Sequence, residues 1–160
     1  IYAEVAQLMS HCGISVSMDY SPGGSAAWVI CSDSPISAQN SYTAYFGYNP
    51  NTILGVYRDD YSTPNWHTMI KNDLEIGRPI QYAGFGSDGG HTWVLDGVDA
   101  NDMYHMNWGW GGSANGYFDI DVLNPNGMDF SWGQQGLFGI VPNANDNFDL
   151  YQSPATLADN

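Results

Sequence analysis

Apolar positions along this chain follow two rules, and the change falls at Pro79. Before it, in STPNWHTMIKNDLEIGRP, Trp66, Met69, Ile70 and Leu74 recur three and four residues apart. That spacing predicts a helix with one buried face. Ser62 or Thr63 can cap its start, Pro64 suits the first turn, and Gly77 followed by Pro79 ends it. A second helix is predicted from Ala3 to His11, with Val5, Leu8 and Met9 on one side and Gly13 beyond. A third lies in SPISAQNSYTAYFG, between Pro35 and Gly47. After Pro79 the period shortens to two. PIQYAGFG, HTWVLDGV, MYHMNWG, GYFDIDV and QGLFGIVP are short, aromatic and β-branched, with Gly, Asn and Asp between them. They predict an antiparallel sheet or small barrel. The fold class is therefore α+β, helices in the first half and strands in the second.

With 160 residues, 43% hydrophobic and 12% charged, the chain is long and apolar enough for one packed domain. Residues 1–142 are expected to form it. Residues 143–160, NANDNFDLYQSPATLADN, lose periodicity and are expected to be a tail or linker. No run reaches the roughly 18 apolar residues of a membrane helix, so no membrane partner is expected. The start, IYAEVAQLMSHCG, is amphipathic and does not read as a signal peptide. Charge narrows the partners further. Arg58, Lys71 and Arg78 face 17 acidic residues, a formal net charge of −14. Nucleic acid needs a basic surface and is excluded as a partner. An acidic, lysine-poor, Asn/Gly/Tyr-rich chain suggests a secreted protein. Two cysteines, Cys12 and Cys31, allow one disulfide or none.

Candidate chemistry centres on GFGSDGGHTWVLDGV. His91 opens a strand after a loop with glycines at 84, 86, 89 and 90, which are expected to let a ligand approach the backbone. A histidine on such a rim can exchange protons near neutral pH, or it can be an ordinary polar residue at a strand start. Asn107 follows sixteen residues later, on a strand expected to neighbour that of His91. A catalytic imidazole needs a partner on its second nitrogen, and the Asn107 side-chain carbonyl can supply one. Trp108 and Trp110 can shield the pair from water, or simply be core. His105 shares a strand face with Asn107 and is a rival base, or half of a metal site with His91. Metal is disfavoured, because no HExxH pattern or close cysteine spacing occurs. Calcium on the Asp/Asn clusters at 99–102 and 143–148 is disfavoured too, for want of an EF-hand spacing. No cofactor is expected. His11 and His67 fall in helical segments, as surface or boundary residues.

At this point a resemblance enters. GGHTWVLDGVDANDMYHMNWGWGGSANGYFDIDVLNP resembles the histidine-bearing half of the streptopain-type bacterial cysteine peptidases, which include interpain. The likeness extends upstream through LMSHCGISVSMDYSPGGSAA, YFGYN and a Trp-x-x-x-Ile step to PIQYAGFG, and ends near GIVP, covering residues 3–142. It implies a papain-like fold. It implies that His91 takes the thiol proton and later protonates the leaving amine, and that Asn107 and Trp108 orient it. The tryptophan at that place is credited in the family with much of this role. It further implies that Trp110 walls the site, that Gly90 offers backbone to the substrate, and that Ser25 in GGSAA lines the substrate pocket.

The family's nucleophile sits in a glycine-cysteine segment upstream of the LMxxxGISV stretch, so it is expected before Ile1, together with an oxyanion-hole donor. Cys12 and Cys31 lack the glycine-rich helix entry that lowers a thiol pKa and are expected as buried structural cysteines. The expected partners are a protein or peptide substrate and the cysteine-bearing N-terminal part, as a missing segment or another chain. Two other readings stay open: an inactive pseudo-peptidase, or a non-catalytic domain that stacks carbohydrate on exposed aromatics such as Trp108.

Overall fold

The structure, a computed structural model, describes residues 2–143 except Asp88. Among these residues three helices appear where the sequence predicts them: α1 (Tyr2–Ser15), α2 (Ala38–Tyr45) and α3 (Thr63–Leu74). Ser62 is the N-cap residue of α3 through its backbone conformation, without a side-chain cap bond, and Pro64 stands in its first turn. The Gly77 N–H closes the end of α3 on the Leu74 carbonyl at 3.0 Å. The helix buries Trp66 and Ile70 and shows its opposite side to solvent.

The described residues form eight strands: β1 (Asp19–Ser21), β2 (Gly24–Ala26), β3 (Leu54–Tyr57), β4 (Ile80–Gly86), β5 (Gly89–Val98), β6 (Tyr104–Asn107), β7 (Gly116–Phe118) and β8 (Trp132–Phe138). The first two form a separate hairpin. The rest make one open antiparallel sheet in the order β3-β8-β4-β5-β6-β7. It is a sheet with two edges, not a barrel, and the expected α+β class holds. The strand at 54–57 is too short to show a period of two, and the hairpin at 19–26 is both too short and too polar.

Both faces of the sheet are covered around its centre. Alternation sends Tyr82, Trp93, Leu95 and Met106 to the face under α3, where they pack with Trp66 and Ile70. Ala83 and Leu137 point to the other face, against Val29 and Ile30 of the segment before α2. Asp73, at the end of α3, is a buried acid that anchors the end of β8: its Oδ2 accepts the Gly139 N–H at 2.7 Å. Arg78 Nη1 stands 3.7 Å from its Oδ1. Replacing Asp73 by alanine strands a buried N–H and is expected to cost about 2–3 kcal/mol, read as a lower urea midpoint at unchanged slope.

Helix α1 is different. Among its residues only Gly13 is buried, while Val5, Leu8 and Met9 are 52%, 54% and 68% exposed. An apolar stripe three and four residues apart is thus uncovered. Cys12 extends the same stripe and is exposed, as is Cys31, and neither forms a disulfide. The expectation that both are buried is corrected here. Cys12 lies exposed on α1. Cys31 lies in a surface turn, its Sγ 3.4 Å from Ser37 Oγ. Of the tail expected from residue 143, only Asn143 lies within the described residues, with its N–H on the Gly47 carbonyl at 2.8 Å.

Candidate active site

His91 lies near the start of β5, and strand alternation puts it on the same face as Trp93 and Leu95. Four aromatic rings surround its imidazole. Trp110 stacks on it at 4.8 Å and 26°, Phe130 lies at 5.4 Å, Trp93 at 5.9 Å and Trp108 at 6.3 Å. Trp108 is fully buried and packs 4.5 Å from Trp93 and edge-on to Phe118 at 5.2 Å. The ring of His91 is held by this cage and by one hydrogen bond, from Nε2 to the Trp108 backbone carbonyl at 2.8 Å. A carbonyl oxygen only accepts. The neutral ring therefore carries its proton on Nε2, and Nδ1 is left as the basic atom.

The expected Asn107 contact is not made. The register pairs Leu95 with Met106 and Val94 with Asn107. Leu95 shares the face of His91, so Met106 and Trp108 do too, and Asn107 and His105 point to the other side of the sheet. The Asn107 side-chain oxygen instead accepts the Gly109 N–H at 3.2 Å. It shapes the turn that delivers the Trp108 carbonyl. Replacing Asn107 by alanine is expected to cost about 1 kcal/mol and to leave the Nε2–carbonyl bond in place. Urea unfolding and the His91 Nε2–H signal in NMR read the two effects separately.

The same parity removes His105 as a rival base or metal partner of His91. Its Nδ1 pairs with Asp96 Oδ1 at 2.5 Å on the outer face. Among the described residues, no three His, Cys, Asp or Glu side chains cluster as metal ligands. The other two histidines lie where expected: His11 is exposed, and the Nδ1 of half-buried His67 is 2.6 Å from the Tyr104 hydroxyl.

The loop after Trp108 explains its composition. Gly109, Gly111 and Gly112 take φ of 78°, 61° and 89°, and Ala114 takes 61°. Four left-handed residues within six positions turn the chain back in one tight loop, and glycine adopts that conformation at least cost. Asn115 Oδ1 closes the loop on the Trp108 N–H at 3.1 Å. Trp110 is thereby brought back over His91.

Phe130, which sequence reasoning missed, completes the cage from a distant loop. Gly84 and Gly86 admit it. A Cβ on Gly84 would sit 2.0 Å from the Phe130 carbonyl oxygen, and one on Gly86 1.8 Å from that of Asp129. The space expected for a ligand at these two glycines is filled by the protein's own backbone. Gly84 is also the register partner of His91, so the loop rests directly beside it. Gly90 is exposed at the rim, flanked by the Phe85 ring, which would lie 2.6 Å from a Cβ there. Ser25 stands on the separate β1–β2 hairpin, paired with Tyr20.

Comparison with known proteins places this arrangement. The interpain A cysteine protease of Prevotella intermedia, in its active wild-type form, superposes with a TM-score of 0.75 at 32% identity, over 86% of this chain and 56% of that one. The expected papain-like fold is thereby the one found. Streptopain of Streptococcus pyogenes is 37% identical over 135 residues, 84% of this chain and 32% of the relative. The thiol protease/hemagglutinin PrtT of Porphyromonas gingivalis is 29% identical over 149 residues, 89% of this chain and 16% of the relative. The chain thus spans about a third or less of the length of these two relatives. The sequence pattern of the peptidase C10 family matches residues 2–118, well over half of the chain. The chain belongs to the peptidase C10 family of cysteine peptidases.

Proposed function

We propose that this chain is the histidine-bearing part of a secreted cysteine endopeptidase, with the nucleophilic thiol supplied by a missing segment or by another chain. One observation carries the reading: an imidazole oriented through Nε2 and walled by indoles, with its basic Nδ1 and no thiol in its cage. Cys31 belongs to the segment packed on the opposite face of the sheet, and Cys12 to α1. In the proposed reaction Nδ1 takes the proton of the incoming thiol. The thiolate attacks the peptide carbonyl to form an acyl-enzyme, the amine leaves with the proton from His91, and water then releases the acid. Trp108 holds the imidazole through its carbonyl, Asn107 shapes the turn behind it, and Trp110 keeps water off the ring, which strengthens a thiolate–imidazolium pair. Gly90 offers backbone to the substrate. Ser25 as a pocket residue rests on the family likeness alone.

The uncovered stripe of Val5, Leu8, Met9 and Cys12 suits docking of the cysteine-bearing part. Mixing the two parts is expected to yield cleavage of an unfolded protein that iodoacetamide abolishes. The chain alone should be inert and self-associated. A folded complex without cleavage would leave the pseudo-peptidase reading. The carbohydrate reading loses its stacking residue, because Trp108 is fully buried.

A further inference from the structure

We infer that Gln134 is a positioning residue for His91, acting from outside the aromatic cage through the loop that carries Phe130; this rests on the reading of His91 as the catalytic base. Gln134 lies in β8 with 2% of its surface exposed. Its Nε2 donates to two carbonyls, Ile120 at 2.8 Å and Ser131 at 2.9 Å. Carbonyls only accept, so the amide can be placed in one way alone. Its Oε1 must then accept from the Tyr82 hydroxyl, 2.5 Å away. That hydroxyl in turn accepts the Trp66 indole N–H at 2.8 Å. Burial pushes the Tyr82 phenol far above its ordinary range, so it remains a donor. The chain of bonds from α3 through β4 to β8 has one direction and ends on the amide of Gln134.

Ile120 and Ser131 are the two ends of the connection between β7 and β8. That connection holds no regular structure beyond a short 3-10 turn at Pro125–Gly127. Two internal bonds at 3.0 Å, from Phe130 N–H to the Leu123 carbonyl and from Leu123 N–H to Ser131 Oγ, tie it into one unit. Gln134 fastens both ends of this unit to the sheet. Inside it, Phe130 lies 5.4 Å from His91 and 5.9 Å from Trp108. Its backbone rests on Gly84, across from His91. Releasing the two carbonyls lets the unit lift, and the face of the cage formed by Phe130 lifts with it. A side chain that only stabilised the fold would not affect His91 selectively.

The test follows His91 itself, in the complete chain bound to its cysteine-bearing part. Gln134→Met keeps the size but loses both donors and the acceptor. With labelled histidine, the exchange rate of the Nε2–H proton is expected to rise at least about tenfold, and the imidazole chemical shifts to move. Phe130→Leu should do the same, and the double variant should add nothing further, since both changes act through one path. Ile30→Ala, in the cluster on the opposite sheet face, should lower stability and leave both signals unchanged. In an active complex kcat should fall while KM holds. If Gln134→Met fails to fold, Tyr82→Phe serves: it removes one hydroxyl, keeps the carbonyl bonds and should give a smaller shift of the same kind. The inference is overturned if Gln134→Met, or Tyr82→Phe in its place, leaves the His91 signals native. It is also overturned if Ile30→Ala shifts them equally for the same loss of stability. The NMR signals need no turnover, so an inactive complex would refute the proposed function without touching this result.

Discussion

Replacing His91 by alanine is expected to lower peptide cleavage by the assembled protein by about a thousandfold or more, with the fold retained. The imidazole serves twice in the proposed reaction, taking the thiol proton and returning it to the amine, and removal of such a group costs at least 10²–10⁴ in rate. The fold should survive. The side chain is only half-buried, and its one hydrogen bond goes to the Trp108 carbonyl. Matched circular dichroism and urea unfolding of both proteins, beside initial rates on an unfolded substrate, make the measurement. Full activity in the alanine variant would refute the mechanism. The His91→Gln variant sharpens it: its amide can still donate to the Trp108 carbonyl but has no basic nitrogen, so its rate should match that of alanine.

Trp108→Ala is expected to be the most damaging single change to stability, at about 3–5 kcal/mol. The indole is fully buried among Trp93, Trp110, Phe118 and Phe130, and nothing nearby can fill the space it leaves. Activity should fall with it, because His91 loses its wall and the strand end that presents the carbonyl. Trp108→Phe separates ring from N–H. The Trp108 Nε1–H is buried without an acceptor, so phenylalanine loses volume but no hydrogen bond. Its cost should be nearer 1–2 kcal/mol, for the smaller cavity alone. Urea midpoints of the two variants decide: equal losses would mean that the N–H has a partner in the assembled protein.

How far the sequence reached depended on the range of the interaction. The helix at Thr63–Leu74 was legible because four apolar residues at helical spacing, a proline in the first turn and a glycine stop all act within one segment. The five strands after Pro79 were legible through their period of two. The crowding of glycine in NWGWGGSANG was also local, since it follows from backbone angles that glycine adopts freely. His91, Trp108 and Trp110 could be named from their motif, and the structure brings all three into one cluster.

What failed needed two strands or two loops at once. Alternation along MYHMNWG shows that His105 and Asn107 share a face, but not that His91 lies on the other one. That follows from the register between β5 and β6, where a slip of one residue exchanges the faces. Phe130 stands 39 positions after His91, and only the folded sheet, with its side chains omitted at Gly84 and Gly86, admits it. Gln134 looks like any polar residue in a strand until its partners at Tyr82, Ile120 and Ser131 are in place. The sequence by itself determined the three helices, the five strands after Pro79 and the α+β class, because each rests on neighbours a few positions apart, and its motif singled out the imidazole of His91. Tertiary structure alone decided which carbonyl holds that imidazole, which rings enclose it and what keeps them there, because those contacts join residues whose separation along the chain carries no periodic signal.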